Sequence, residues 1–233
     1  MNRLTENKLI LITRRTRLDE LIARFNTLEQ ARFYIERIGV DFSDYLAEDE
    51  RYKTALKAAC RTLERVGLLQ VVDRSFVPNF IFGEHDTIIV LGQDGLVANT
   101  LKYLQDQPVL GVNPDPARWE GVLLPFKVPQ LERVLLQVFD RKRLIKTITM
   151  SQAVLNTGQT LYGVNDLFIG PRSHTSARYK LSINGQSEFQ SSSGIIVSTG
   201  LGSTGWFRSI ITGAATISTL YGSAGTPAVP PSN

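Results

Sequence analysis

A chain of 233 residues, 42% hydrophobic and 21% charged, has enough apolar mass for one large domain or two small ones and excludes a disordered or fibrous protein. Its formal charge of +4 is modest and its basic residues are scattered among acids, so no nucleic-acid partner is expected. No apolar run reaches the roughly 18 residues of a bilayer span, and Leu9–Ile12 is too short for a signal-peptide core, which gives the expectation of a cytoplasmic protein with no membrane partner. A single cysteine, Cys60, and two histidines, His85 and His174, exclude a disulfide framework, a multi-cysteine zinc site and most histidine-dependent triads.

In chain order, Lys8–Thr13 reads as a buried parallel strand, because Leu-Ile-Leu-Ile is a continuous apolar run. Thr27 and Gln30 suggest a capping box for a helix through Arg37, stopped at Gly39. Tyr45, Tyr52, Leu56, Ala59, Leu63 and Val66 recur at helical spacing and predict a long helix from about Asp44 to Val66, with Gly67 after it and Cys60 on its apolar face. Strands Leu68–Val72 and Thr87–Leu91, a turn at Asp94, a helix over Val97–Leu104, strand Val109–Val112 and a helix near Leu131–Phe139 continue an α/β alternation that runs on into Leu144–Met150. The composition then changes: after Asp166 the only acid is Glu188, and Ser, Thr and Gly dominate. Strands Val164–Ile169, Tyr179–Ile183, Ser187–Gln190 and Gly194–Ser198, with an Asn184-Gly185 hairpin turn, predict a β-rich part. The expected organisation is an α/β nucleotide-binding domain over 1–146 with a mainly parallel sheet, a smaller β-rich substrate-binding domain over 147–220, and a frayed tail over 221–233.

Two glycine turns carry the candidate chemistry. Gly92 and Gly95 follow an apolar strand and open a helix, the geometry in which phosphate approaches backbone N–H groups. A carboxylate is unusual there, so Asp94 either holds Mg²⁺ or takes a proton from an attacking hydroxyl, or else caps a tight turn. The second cluster, Gly200, Gly202 and Gly205, has dinucleotide-loop spacing but no acid follows to bind a ribose, which argues against a hydride-transferring dehydrogenase. Ser203, Thr204 and Trp206 offer hydroxyls and a stacking face for a nucleoside. Asn165 and Asp166 either read a base edge and a ribose or form a polar pair at a strand edge or turn. Arg14, Arg15 and Arg17 read as a solvated basic loop more readily than as a phosphate clamp. Asn113 ends a strand, where it lines a cleft or turns the chain before Pro114, and His174 reads as a surface-loop residue.

Gly-Gln-Asp-Gly-Leu at 92–96, PVLGVN at 108–113, Asn-Asp at 165–166 and IIVSTGLGSTGW at 195–206 resemble, in order and context, the motifs of the ATP-NAD kinase family over roughly residues 85–207. That resemblance implies an α/β domain related to those of diacylglycerol kinases and phosphofructokinases, a β-rich second domain, and transfer of the ATP γ-phosphoryl to the adenosine-ribose 2′-hydroxyl of NAD. It makes Asp94 the catalytic and Mg²⁺-binding acid. Gly92, Gln93, Gly95, Asn113, Asn165, Asp166, Thr199, Gly202, Ser203, Thr204, Gly205 and Trp206 become the nucleotide-binding set. Gln93 stands where the family has glycine, Leu96 where it has threonine, Asp166 where it has glutamate, and Ser193 where it usually has aspartate. Trp206 replaces a tyrosine. The family continues with further strands where this sequence has 27 residues, so the segment after Trp206 is expected in a sheet with an open edge, and the chain is expected as a homo-oligomer or a protein of low stability. A nucleotide-binding protein without turnover and a related lipid kinase are the alternative expectations.

Overall fold

The computed structural model describes residues 5–221, which form a mixed α/β protein. The chain divides between Lys146 and Thr147 into two compact units. In the first, β1 (Lys8–Thr13), β2 (Leu68–Asp73), β3 (Thr87–Leu91), β4 (Val109–Asn113) and β5 (Phe126–Lys127) build one parallel sheet in the order β2-β1-β3-β4-β5. Alternate strand residues point to opposite faces. Leu9, Leu11, Ile89 and Leu91 pack against α3 (Ser43–Val66) and α5 (Leu131–Phe139). Ile10, Ile12, Ile88 and Val90 pack against α4 (Asp94–Leu101) and the Val77 and Leu124 loops. Burial on both faces is why β1 and β3 read as unbroken apolar runs rather than alternating ones.

Before α3, α1 (Arg17–Phe25) and α2 (Leu28–Arg37) pack through Leu18, Ala31 and Ile35 onto Phe42. The reciprocal capping box stands on α1, where Thr16 accepts from Asp19 N and the Asp19 carboxylate accepts from Thr16 N. At α2, Thr27 accepts from Gln30 N without the return bond. The helix expected over Val97–Leu104 begins three residues earlier, so Asp94 is its first residue and not part of a preceding turn. Leu144–Met150 holds neither helix nor strand.

The described residues of the second unit hold three two-stranded antiparallel sheets: β6 (Ser151–Val154) with β7 (Thr160–Gly163), β8 (Asp166–Ile169) with β11 (Ile195–Ser198), and β9 (Ala177–Ile183) with β10 (Gln186–Ser192). Asn184 and Gly185, at φ 51° and 81°, turn the β9–β10 hairpin as their sequence predicts. The segment after Trp206 is no strand: it is α6 (Trp206–Tyr221). Phe207, Ile210, Ile211, Ala214 and Ile217 recur at three and four residues, a helical period that outweighs the β-branched composition. Among the described residues of this unit only Val164 and Leu167 are buried apolar side chains. The tail expected to fray lies, after Tyr221, outside the described residues. No helix among the described residues is long and apolar enough to cross a membrane.

Candidate functional site

In a parallel sheet of order 2-1-3-4-5 the order of strand connection reverses between β1 and β3, and the carboxyl ends of those two strands flank the position where open α/β folds receive ligands. Arg14 follows β1 there and Gly92 follows β3. A Cβ at Gly92 would meet Leu96 Cδ2 at 2.8 Å and Arg14 Cδ at 3.7 Å, so a side chain there would have to displace the tip of Leu96. Leu96 is buried in the core beneath the turn. Above it, a Cβ at Gly95 would meet nothing within 4 Å. The N–H groups of Asp94 and Gly95 begin α4 with no acceptor among the described residues, which leaves donors and positive dipole for an anion.

The Asp94 carboxylate is engaged within the chain. Oδ1 accepts from Leu123 N at 2.7 Å and Oδ2 from Val122 N at 3.1 Å, tying the start of α4 to the loop before β5. Asn113 serves the same loop: its Nδ2 donates to Trp119 O at 2.8 Å and its Oδ1 accepts from Asp115 N at 3.0 Å. Gly121, at φ 69°, passes so close that a Cβ would lie 2.8 Å from Asn113 Nδ2. Gly92, Asp94 and Asn113 are thus brought together near one loop, with both ends of the Asn113 amide engaged by backbone.

Arg14 and Arg17, expected in a solvated basic loop, belong instead to an ion-pair network. Arg14 Nη2 donates to Glu48 Oε1 at 2.9 Å, with the two side chains only 8% and 3% exposed. Arg17 bonds the other Glu48 oxygen and also Asp44, and Arg118 grips Asp44 in turn. Arg51 reaches Asp115 at 3.1 Å. The physical reason for the correction is α3: it passes beside the carboxyl end of β1 and presents Asp44, Glu48 and Tyr52 at helical spacing. Tyr52 Oη accepts from Arg14 N at 2.9 Å and donates to Leu91 O at 3.2 Å, joining the ends of β1 and β3. Burial pushes the Tyr52 phenol up to about 12. Burial also opposes ionisation of Glu48, but hydrogen bonds from Arg17 and Arg14 outweigh it and hold that carboxyl below its ordinary value. Hydrogen bonds from Arg118 and Arg17 hold the Asp44 carboxyl well below its ordinary value. Arg14 Nε is buried without a partner among the described residues.

In the second unit, Asn165 and Asp166 lie against the loop 199–202. Thr199 N donates to Asn165 O at 2.9 Å, Thr199 Oγ1 donates to Val164 O at 2.6 Å, and Gly202 N donates to Thr199 Oγ1 at 3.2 Å. A Cβ at Gly202 would stand 2.1 Å from Asn165 O and 2.7 Å from Asp166 Oδ1, so glycine is obligatory where the motifs cross. Asp166 Oδ1 is buried there with no hydrogen-bond partner among the described residues, an arrangement that costs free energy unless a donor arrives. Trp206 is 50% exposed and its ring tilts against Phe168 at 6.0 Å. Ser203, Thr204 and Gly205 are exposed at the same loop, Ser203 Oγ donating to Gly200 O at 2.7 Å.

His174 is exposed in the loop between β8 and β9. Cys60 is partly buried against the α3 side of the core, its thiol raised by burial and by Glu64. Arg15 is exposed. Shallow grooves lie beside Phe25, Phe33 and Tyr34 and along β2. The Arg–Glu network escaped sequence reasoning because its partners stand 27 to 74 residues apart; the one available signal was Asp44, Glu48 and Tyr52 at intervals of four on a helix.

Among the described residues no cluster of three or more His, Cys, Asp or Glu side chains is arranged to hold a metal. Asp94 stands as a single carboxylate with one lone pair per oxygen uncommitted, which suits a Mg²⁺ held mainly by phosphate oxygens and water. No family model and no curated protein matches the chain.

Proposed function

We propose that the protein is a cytoplasmic nucleotide phosphotransferase resembling the ATP-NAD kinases, which moves the γ-phosphoryl of Mg²⁺-ATP to the adenosine-ribose 2′-hydroxyl of NAD. The observation that carries the reading is the crossing of Asn165-Asp166 over Gly202, where a buried carboxylate oxygen lacks a donor. A ribose hydroxyl is such a donor, and the exposed Asn165 and Trp206 beside it offer an amide and a stacking face. In the first unit, the free N–H groups of Asp94 and Gly95 and the open space over Gly95 accommodate phosphate. Bound Mg²⁺ supplies charge screening on the phosphates. Asp94 orients the accepting hydroxyl and takes its proton, and the remaining catalysis is positioning and electrostatics.

Incubation with Mg²⁺-ATP and NAD, followed by analysis for NADP, tests the reading. Product is expected, with Asp94→Asn abolishing turnover while nucleotide binding persists, and with Asn165→Ala and Asp166→Ala weakening NAD more than ATP by about 1–3 kcal/mol for a lost buried hydrogen bond. Unchanged NAD affinity in both variants removes the pair from the site. A second reading, a nucleotide-binding protein without turnover, is favoured by the engagement of both Asp94 oxygens with Val122 and Leu123. NAD binding by calorimetry without any NADP formed selects it.

A further inference from the structure

The parallel sheet ends on one side in β5, two residues long, and on the other in β2, six residues long. Short edges protect themselves, whereas a long flat edge is protected by Lys, Pro, a bulge or a cover. The β2 sequence, Leu-Leu-Gln-Val-Val-Asp, has no Lys or Pro, its register with β1 is unbroken, and among the described residues β1 is its only strand neighbour. Leu68 and Val71 are 40% and 49% exposed on it. Arg74 N donates to Thr13 O, which fixes the direction of the backbone groups: by the two-residue period, residues 68, 70 and 72 turn their N–H and C=O toward β1, and Leu69 and Val71 turn theirs outward. Neither outward pair has a partner among the described residues.

We propose that this edge pairs antiparallel with β2 of a second copy, about a two-fold axis through Gln70, extending the sheet across both molecules. The strand is its own complement about that residue. Gln70 falls opposite Gln70 of the second copy, Leu69 opposite Val71, and Leu68 opposite Val72, so every apolar side chain meets an apolar one. Moving the axis to Val71 sets Leu69 opposite Asp73, and moving it to Leu69 sets Leu68 opposite Gln70. The backbone phase agrees with the Gln70 axis: Leu69 and Val71 become the residues that exchange N–H and C=O bonds, and Gln70 becomes a non-hydrogen-bonded pair, in which side chains approach closest. This palindromic match selects a second copy over an unrelated strand. The groove lined by Glu64, Gly67, Leu68, Leu69 and Val71 lies along the same edge and is covered by the pairing. The inference is independent of the proposed activity.

Light scattering and sedimentation of the full chain at micromolar concentration test it. Wild type is expected as a dimer. Gln70→Lys sets two ammonium groups opposite each other and is expected to raise the dimer dissociation constant by roughly tenfold or more, while the far-ultraviolet spectrum stays unchanged because the Gln70 side chain is exposed. In a Cys60→Ser background, Gln70→Cys is expected to form a disulfide-linked dimer under mild oxidation, since non-hydrogen-bonded pairs bring Cα atoms to about 4.5 Å, within disulfide range. Leu68→Cys, which faces Val72 rather than itself, is expected not to link. A monomeric wild type, a dimer that Gln70→Lys leaves intact, or equal cross-linking at Leu68 and Gln70 overturns the proposal.

Discussion

The two units stabilise themselves by opposite means. The first surrounds a five-stranded sheet with helices, so β1 and β3 vanish into two apolar layers and the cost of ordering the chain is met by burial. The second divides its strands among three separate pairs and buries only Val164 and Leu167 completely among its described apolar residues, while Phe189, Val154, Leu161 and Ile217 stay exposed. Pairs of strands are marginal without a third element or a packed face. The contrast teaches that backbone pairing alone defines a local shape, whereas cooperative stability needs a layer on the other side. It also places the charged residues differently: the first unit can bury Glu48 because two arginines, Arg14 and Arg17, pair with it, and the second leaves Asp166 half-covered with an unanswered oxygen.

Trp119 and Trp206 are the only tryptophans and lie one in each unit, so Trp206→Phe and Trp119→Phe variants report the units separately. The largest expected effect is on the first: Glu48→Ala leaves Arg14 buried without its partner and should destabilise this unit by about 3–5 kcal/mol, read from denaturant unfolding followed by Trp119. The pH dependence sharpens the assignment. Because the folded Glu48 carboxyl is held below its ordinary value of 4.5, the stability it contributes is complete above that value and is lost as pH falls through the folded pKa. The melting-temperature gap between wild type and Glu48→Gln should therefore be widest near neutrality and close in acid; a constant gap rejects the ionised pair.

Core truncation comes next. Leu63→Ala, in the fully buried layer under α3, should cost about 2–5 kcal/mol, and Leu167→Ala less, near the lower end or about 2 kcal/mol, because fewer neighbours surround the cavity and they can close on it. Equal losses by the two fluorescence probes break the comparison between units. Gly202→Ala should act locally: its methyl cannot coexist with Asn165 O at 2.1 Å, so the 199–205 loop separates from Asn165, seen as faster amide exchange at Thr199 with the Trp119 transition unmoved. The smallest effect is expected from Asp94→Asn. An amide has a single oxygen to receive the N–H groups of Val122 and Leu123, so about 1 kcal/mol should be lost and amide exchange at Val122 and Leu123 should quicken.

How far the sequence discloses this arrangement depends on the distance over which each signal acts. β1 and β3 are legible as unbroken Ile-Leu-Val runs, and the Asn184-Gly185 turn as a dipeptide that tolerates positive φ, because burial on both faces and turn chemistry are local constraints. The helix α6 is locally legible too, in the spacing of Phe207, Ile210, Ile211 and Ala214, but expecting strands after Trp206 by likeness to a family hides it. Asp94 is conspicuous as a residue and obscure as a role, since its acceptor groups serve backbone N–H donors 28 and 29 residues away that no side chain advertises. The same holds for Arg14, whose burial follows from where α3 runs and not from the residues beside it. Gly202 lies between: the glycine is visible, and the carbonyl that demands it is not.

Tyr52 also makes alkaline titration a reporter on the ligand edge of the sheet. Seven tyrosines are present, and the one whose hydroxyl spans Arg14 N and Leu91 O ionises only near 12 while the chain is folded. Its raised pKa stabilises the fold fully below the ordinary phenol value of 10.0, and that contribution disappears as pH climbs toward 12. Phenolate absorbance that appears late, together with loss of structure, therefore marks the moment at which β1 and β3 part at their carboxyl ends, an optical signal for opening at the switch point that needs no added label.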